Sequence, residues 1–256
     1  MDEINRKILL MLLRDYSTSQ RKIAKDLNLS PPAVNYRIDR LISEGIIKKV
    51  SLYVNPNFYG KYHGYVSFSN LNSWEGEYVL KVTCLEKLTV YEIEGSSPQQ
   101  LDDTISKMKE KLGEPGMVYV PTQFPYKPST FDVKLVSMLR ENPTIDSLEL
   151  AERMKVSSKT VRRHLRYLQS KGLLRLVPIV DVAKAGIVMF GIFTKSVEVA
   201  RKVLSPVIFW EISDDKAGVF VSVAKDFEET KLYVDKVRKF DPDADVMIGY
   251  SYEISE

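Results

Sequence analysis

Along residues 156–168, Val161, Leu165 and Leu168 recur at helical spacing while Lys159, Arg162, Arg163 and Arg166 fall on the opposite face. The spacing predicts a short helix with an apolar side and a cationic ridge. Ser157 or Ser158 is its N-cap, because a hydroxyl accepts from the orphan amides of a first helical turn. Ahead of it, Ile145, Leu148, Leu150, Ala151 and Met154 predict another short helix, and Lys155-Val156-Ser157 supplies the turn between the two. Phe131, Leu135, Val136 and Leu139 predict a supporting helix, closed at Asn142-Pro143. Gly172 then reads as a helix C-cap before a strand at 173–177, the start of a wing. Two tightly joined helices, the second of them basic, have the geometry of a helix-turn-helix whose recognition helix lies in the DNA major groove.

The first fifty residues repeat this pattern. Ile8, Leu12, Ile23, Ala24, Leu27, Leu29, Ser30, Val34, Ile38, Leu41, Gly45, Ile46 and Ile47 match Leu135, Leu139, Leu150, Ala151, Met154, Val156, Ser157, Val161, Leu165, Leu168, Gly172, Leu173 and Leu174 at one constant offset. An ungapped match of this length is an internal duplication. It predicts helices at 4–13 and 20–27 and a recognition helix that starts at Pro31 or Pro32 and ends at Ser43, proline being tolerated in a first turn. The outward residues of the first recognition helix are Pro32, Asn35, Tyr36, Asp39 and Arg40, with Arg37 on the flank; those of the second are nearly all Lys and Arg. Asparagine can bond adenine bidentately, whereas a cationic ridge mostly grips backbone, so the first unit is expected to discriminate and the second to bind.

After each helical unit the period changes. Strands are predicted at 50–54, 65–68, 88–93 and 117–120, with helices at 77–85 and 98–112. Only Glu94-Gly95-Ser96-Ser97 separates the third of these strands from the helix that starts at Pro98, so the first α/β unit reads as abbreviated. Residues 121–130 hold three prolines and no apolar period, which marks a semi-rigid linker. From 188 onward the order is strand, helix, strand, strand, helix, strand, with Asp214-Asp215-Lys216 as the central hairpin turn. That is the ferredoxin-like order.

Charge matters once divided by segment. Residues 1–50 hold ten Lys/Arg against six Asp/Glu and residues 132–178 ten against five, while the whole chain is only +3. The positive charge therefore sits on the two helical units, the footprint of two DNA-facing heads attached to acidic domains. The single cysteine, Cys84, allows no intramolecular disulfide and no cysteine-type zinc site; a small buried apolar role is expected for it, in a reducing cytoplasm. No apolar run suits a membrane span and no signal peptide is read at the N-terminus. Phosphate-binding glycine loops and metal-ligand spacings are absent, Asp241, Asp243 and Asp245 reading as a turn, so neither cofactor nor metal is expected. Trp74 and Trp210 are expected in core or interface, His164 in a partly buried packing role, and His63 solvated in a turn beside Gly64.

Leu29-Ser30-Pro31-Pro32-Ala33-Val34, Arg37, Leu41, Glu44-Gly45-Ile46-Ile47-Lys48 and Asn55-Pro56-Phe58-Gly60 resemble the Lrp/AsnC transcription regulators of archaea and bacteria, in which a helix-turn-helix precedes a ferredoxin-like effector and oligomerisation domain. The resemblance covers nearly the whole chain, twice over. It implies an α+β fold with a winged helix-turn-helix at 1–54, an abbreviated ferredoxin-like domain at 55–120, a linker at 121–130, a second winged helix-turn-helix at 131–180 and a ferredoxin-like domain at 181–256. By position, Ser30, Pro32, Asn35, Tyr36, Arg37 and Arg40 would face DNA, with Ser157, Ser158, Lys159, Thr160, Arg162, Arg163 and Arg166 in the second copy. It further implies a transcription regulator that binds double-stranded DNA and forms a homodimer, although duplication would place both heads of the usual dimer in one polypeptide. Amino-acid-sensing members carry a glycine turn between the middle strands where this chain has Ser213-Asp214-Asp215-Lys216, so its α/β domains are expected to pair chains rather than sense a metabolite. The competing readings are a regulator that recruits a general transcription factor and a siroheme-decarboxylase-like enzyme of haem biosynthesis. The enzyme would want histidine and arginine converging in a pocket of the α/β domain, and only His63 and His164 are available.

Overall fold

A computed structural model describes residues 1–255. The first head is α1 (Glu3–Arg14), α2 (Gln20–Leu27) and α3 (Pro31–Ser43), followed by strand β1 (Ile47–Val54) and a single 3-10 turn at Pro56–Tyr59. The first α/β unit is β2 (Tyr62–Ser69), β3 (Leu80–Cys84), β4 (Leu88–Gly95), α4 (Pro98–Leu112) and β5 (Met117–Tyr119). The second head is α5 (Thr130–Glu141), α6 (Ser147–Met154) and α7 (Ser158–Ser170), with strand β6 (Leu174–Val180). A short α8 (Val182–Ala185) leads to β7 (Val188–Thr194), α9 (Val197–Leu204), β8 (Ile208–Ser213), β9 (Gly218–Ala224), α10 (Phe227–Arg238) and β10 (Asp245–Ile254).

The heads repeat each other down to their caps. Asp2, Ser19 and Ser30 cap the first three helices with side-chain oxygens, and Ser129, Asp146 and Ser157 do so in the second head. The turn before each recognition helix is made by a non-glycine residue in the left-handed region, Asn28 at φ +54° and Lys155 at φ +55°. That conformation costs a residue with a Cβ about 1–2 kcal/mol, so its recurrence at matched positions marks the turn as imposed by the packing of the two helices it joins.

Strands β1 and β6 each start against their own head, at Ile47 and Leu174, and then cross to the other. They pair antiparallel as a separate two-stranded ribbon, with Tyr53 opposite Arg175 and Lys49 opposite Ile179. Each head's core is completed by the other copy. Ile8, Leu12, Val34 and Ile38 cluster with Val177, Ile179 and Val180, while Leu135, Leu150, Val161 and Leu168 cluster with Leu52, Val54 and Phe58.

The other eight strands form one sheet in the order β5-β2-β4-β3-β10-β7-β9-β8, the two α/β units meeting where β3 pairs with β10. Helix α4 covers Val66, Phe68, Tyr91 and Ile93 on one half, and α9 and α10 cover Phe190, Ile192 and Phe220 on the other. The opposite faces of the halves pack on each other: Tyr65, Met117 and Tyr119 join Ala217, Val219 and Met247, and the Tyr119 hydroxyl donates to the Ala217 carbonyl at 2.9 Å.

The second α/β unit has the ferredoxin-like order. The first is abbreviated, but by loss of a helix: residues 77–85, read above as a helix, contain β3, whose Leu80-Lys81-Val82-Thr83-Cys84 pairs on both sides. No helix stands between β2 and β3; Trp74 and Tyr78 of the intervening loop cover part of that face, and the Trp74 amide donates to the Tyr91 hydroxyl at 3.0 Å. Cys84 is buried, which pushes its thiol up to about 12. No helix among the described residues is long and apolar enough to cross a membrane.

Candidate nucleic-acid interface

Helix α3 turns Val34, Ile38 and Leu41 inward, which leaves Pro32, Asn35, Tyr36 and Arg40 exposed; Tyr36 is 62% exposed. Ser30 is the N-cap and accepts from the Ala33 amide at 3.3 Å, so its hydroxyl starts the helix. The face is polar and largely self-paired. Gln20 donates to the Asn35 amide oxygen at 2.7 Å, and Asn35 donates to Asp39 at 3.2 Å. Arg40 pairs with Glu44, and Arg37 bonds Asp2 at 2.8 Å and Asn5 at 2.7 Å. Arg37 is thereby drawn toward α1, away from the outward stripe.

Helix α7 buries Val161 and Leu168 and exposes Lys159, Arg162, Arg163 and Arg166, with Ser158 and Thr160 half-buried. Ser157, rather than Ser158, is the N-cap, accepting from the Thr160 amide at 3.1 Å. Arg162 bonds the Ser158 hydroxyl at 2.9 Å and Arg166 the Arg162 carbonyl at 3.2 Å. None of the four cations makes an ion pair with a carboxylate among the described residues. Unneutralised charge on one helix face is what phosphate contacts require. Lys159, Arg162 and Arg166 also wall a groove of about 680 Å³ whose far side carries Asp15 and Ser17 of the first head.

His164 is half-buried, as its packing role predicts, and has a specific partner. Its Nδ1 lies 2.7 Å from Asp132, against the Phe131 ring at 4.4 Å. Burial raises the Asp132 carboxyl, but hydrogen bonds from Ser129 and His164 outweigh it and hold the group below its ordinary value. This pair ties α7 to the start of α5.

The expectation for His63 is overturned. It lies inside β2 rather than in a turn, is 4% exposed, and its Nδ1 is 2.6 Å from Glu92, itself 1% exposed and also bonded by the Tyr53 hydroxyl at 2.7 Å. Burial, then the field of Glu92, pushes the Tyr53 and Tyr65 hydroxyls well above the usual phenol range. The partner responsible is 29 residues away, so nothing local in the sequence signals the pair.

The family model for winged helix-turn-helix DNA-binding domains matches residues 1–48 and again 129–175. An uncharacterized HTH-type transcriptional regulator of Pyrococcus horikoshii is 38% identical over 56 residues, which are 22% of this chain and 35% of the relative. HTH-type transcriptional regulator FL11 of Pyrococcus furiosus is 30% identical over 118 residues, 44% of this chain and 74% of FL11. The chain belongs to the Lrp/AsnC-like transcriptional regulators. Within that family its α+β architecture holds two helix-turn-helix segments. It spans little more than a third of the length of the Pyrococcus horikoshii regulator. Among solved structures, the siroheme decarboxylase NirDL aligns over 98% of this Lrp/AsnC-like chain and 92% of its own at 15% identity and TM-score 0.46, too distant to carry a function across.

Proposed function

We propose that this chain is a sequence-specific, double-stranded-DNA-binding transcription regulator in which one polypeptide supplies two unlike recognition helices. The observation that carries the reading is the exposed, unneutralised cationic face of α7, set in a head that duplicates a second one. Lys159, Arg162, Arg163 and Arg166 would hold phosphates, with Ser157, Ser158 and Thr160 at the amino end of the same helix. Pro32, Asn35, Tyr36 and Arg40 would read base edges, with Ser30 and Arg37 fixing the helix. Residues 1–54 and 131–180 act as the heads, 121–130 as the linker, and 55–120 and 181–256 as the pairing domains. The role is binding rather than catalysis, and the cytoplasm is its site. Pairing of the two copies inside the chain would supply the arrangement for which a homodimer needs two chains.

Selection from a genomic fragment library across a salt series tests this. Wild type should enrich sites with two spaced half-sites. Arg162→Ala should weaken binding to all of them alike, and Asn35→Ala should relax the consensus at one or two positions of one half-site. The reverse pattern refutes the division of labour, and no enrichment over bulk DNA refutes the regulator.

One observation favours the siroheme-decarboxylase-like reading: His63 lines a cavity together with Arg14 and Arg175, the residue types such an enzyme would want. The regulator names of the relatives that match by sequence weigh against it. An absorbance change on mixing with siroheme, followed by release of carbon dioxide, would put the enzyme first.

A further inference from the structure

DNA binding leaves a large cavity without a role. It encloses about 880 Å³, within the ~300–1,000 Å³ range of small-molecule sites. One wall is the carboxyl end of α1 in the first head, at Arg14 and Asp15; another is the end of α7 in the second, from Tyr167 to Gly172. The ribbon, β2 and β8 close the rest. Both heads and the sheet meet here.

The lining is chemically specific. Arg175 projects from the ribbon with its guanidinium 4.5 Å from the Trp210 ring; three backbone carbonyls, of Leu13, Arg14 and Phe209, share its Nη2, and its Nε is buried without a partner. Burial holds this guanidinium down to about 10. Its hydrogen bonds all go to backbone dipoles; Asp15 on the cavity wall acts on it through its field but makes no contact ion pair with it, which leaves room for an incoming anion. Lys171 adds an exposed ammonium at the rim, Trp210 and Tyr167 supply aromatic walls, and His63, its Nδ1 bound to Glu92, keeps Nε2 as the free hydrogen-bonding atom of its ring.

The polar set exists once per chain. Gly60 and Gly186 end the short turns after β1 and β6 in the same left-handed conformation, which aligns the copies 126 positions apart. His63 and Tyr65 then correspond to Met189 and Gly191, and Tyr53 to Ile179. Glu92, opposite Tyr65 in its ladder, corresponds to Val221, opposite Gly191. His63, Tyr65 and Tyr53 line the cavity, whereas their counterparts Met189, Gly191 and Ile179 do not, so the polar cluster sits on the cavity side of the molecule.

We infer that this cavity is an effector site for a small aromatic anion, one or two fused rings carrying a carboxylate, whose occupancy sets the spacing of the two heads. The ring lies among Trp210, Tyr167 and His63, and the carboxylate takes Lys171 and the free side of Arg175. Because the walls belong to different heads, a ligand that fits one spacing better than another shifts DNA affinity by that difference. The regulatory part rests on the DNA-binding reading; the site itself does not.

Isothermal titration calorimetry of the full chain with 1-naphthoate, and with the neutral 1-naphthalenemethanol, tests the site without DNA. The anion should bind saturably and at least about tenfold tighter than the alcohol, and Lys171→Glu, an exposed substitution that spares the core, should cost about tenfold or more. Equal affinity for the two probes, no saturable heat, or an unchanged Lys171→Glu overturns the site. Fluorescence anisotropy on a selected operator should then shift by about fivefold or more with saturating naphthoate. Binding of naphthoate with unchanged operator affinity overturns the regulatory role alone, and calorimetry stays valid if the heads bind no DNA.

Discussion

Asp132 shows how much one side chain can tie together. Its Oδ2 accepts from the Ser129 hydroxyl at 2.6 Å and the Ser129 amide at 3.3 Å, closing a capping box on α5, and its Oδ1 faces His164 of the recognition helix. A carboxyl held below its ordinary value in the folded state stabilises the fold above the unfolded value of about 3.9, and that contribution is lost as pH falls through the folded value. Asp132→Ala should therefore cost about 1–2 kcal/mol in urea unfolding at neutral pH. The gap from wild type should close as the pH drops below about 4. Ser157→Ala should cost about 1 kcal/mol by removing the α7 cap, with no change in the acid limb.

At the scale of elements, the exchange of β1 and β6 between copies decides which substitutions damage which head. Phe58 belongs to the first copy but is fully buried in the core of the second head, stacked on Tyr126 at 6.1 Å. Phe58→Ala should cost about 3–5 kcal/mol, and hydrogen exchange should speed up in α5 to α7 before it does in α1 to α3. The opposite order would mean that the heads are packed independently. None of this exchange was legible in the chain, because apolar alternation in 47–54 says that a strand is half-buried and not which head it is buried against. The heads themselves were legible, since their cores and caps are set by residues within a few turns of each other, as at Ser30 and Ser157. The strand β3 left a readable signal, polar and apolar alternation through Lys81, Val82 and Thr83, which the neighbouring Val79 and Leu85 masked with a helical spacing. For the candidate interface, exposure of Asn35 and Arg162 follows from the helical period, whereas the withdrawal of Arg37 toward Asp2 depends on a contact 35 residues away.

Across the whole molecule, the two heads differ in charge that is free to act. In α3, Arg37 and Arg40 are answered by Asp2 and Glu44; in α7 the four cations are not. Removing two phosphate contacts with Arg162→Ala/Arg163→Ala should lower the slope of log affinity against log salt by about 2, whereas Arg40→Ala should change it by less than about 1. A titration of operator DNA at several salt concentrations reads both. The ribbon of β1 and β6 has a further consequence, because it joins by hydrogen bonds two copies that the chain through residues 121–130 already joins covalently. A regulator assembled from two separate chains loses its second head on dilution, and its activity follows its abundance steeply. Here the second head is always present at the local concentration its tether allows, so occupancy should follow chain concentration to the first power down to the scarcest copy number. Freed from having to match an identical partner, each head can also keep a half-site of its own, and the operator need not be a palindrome.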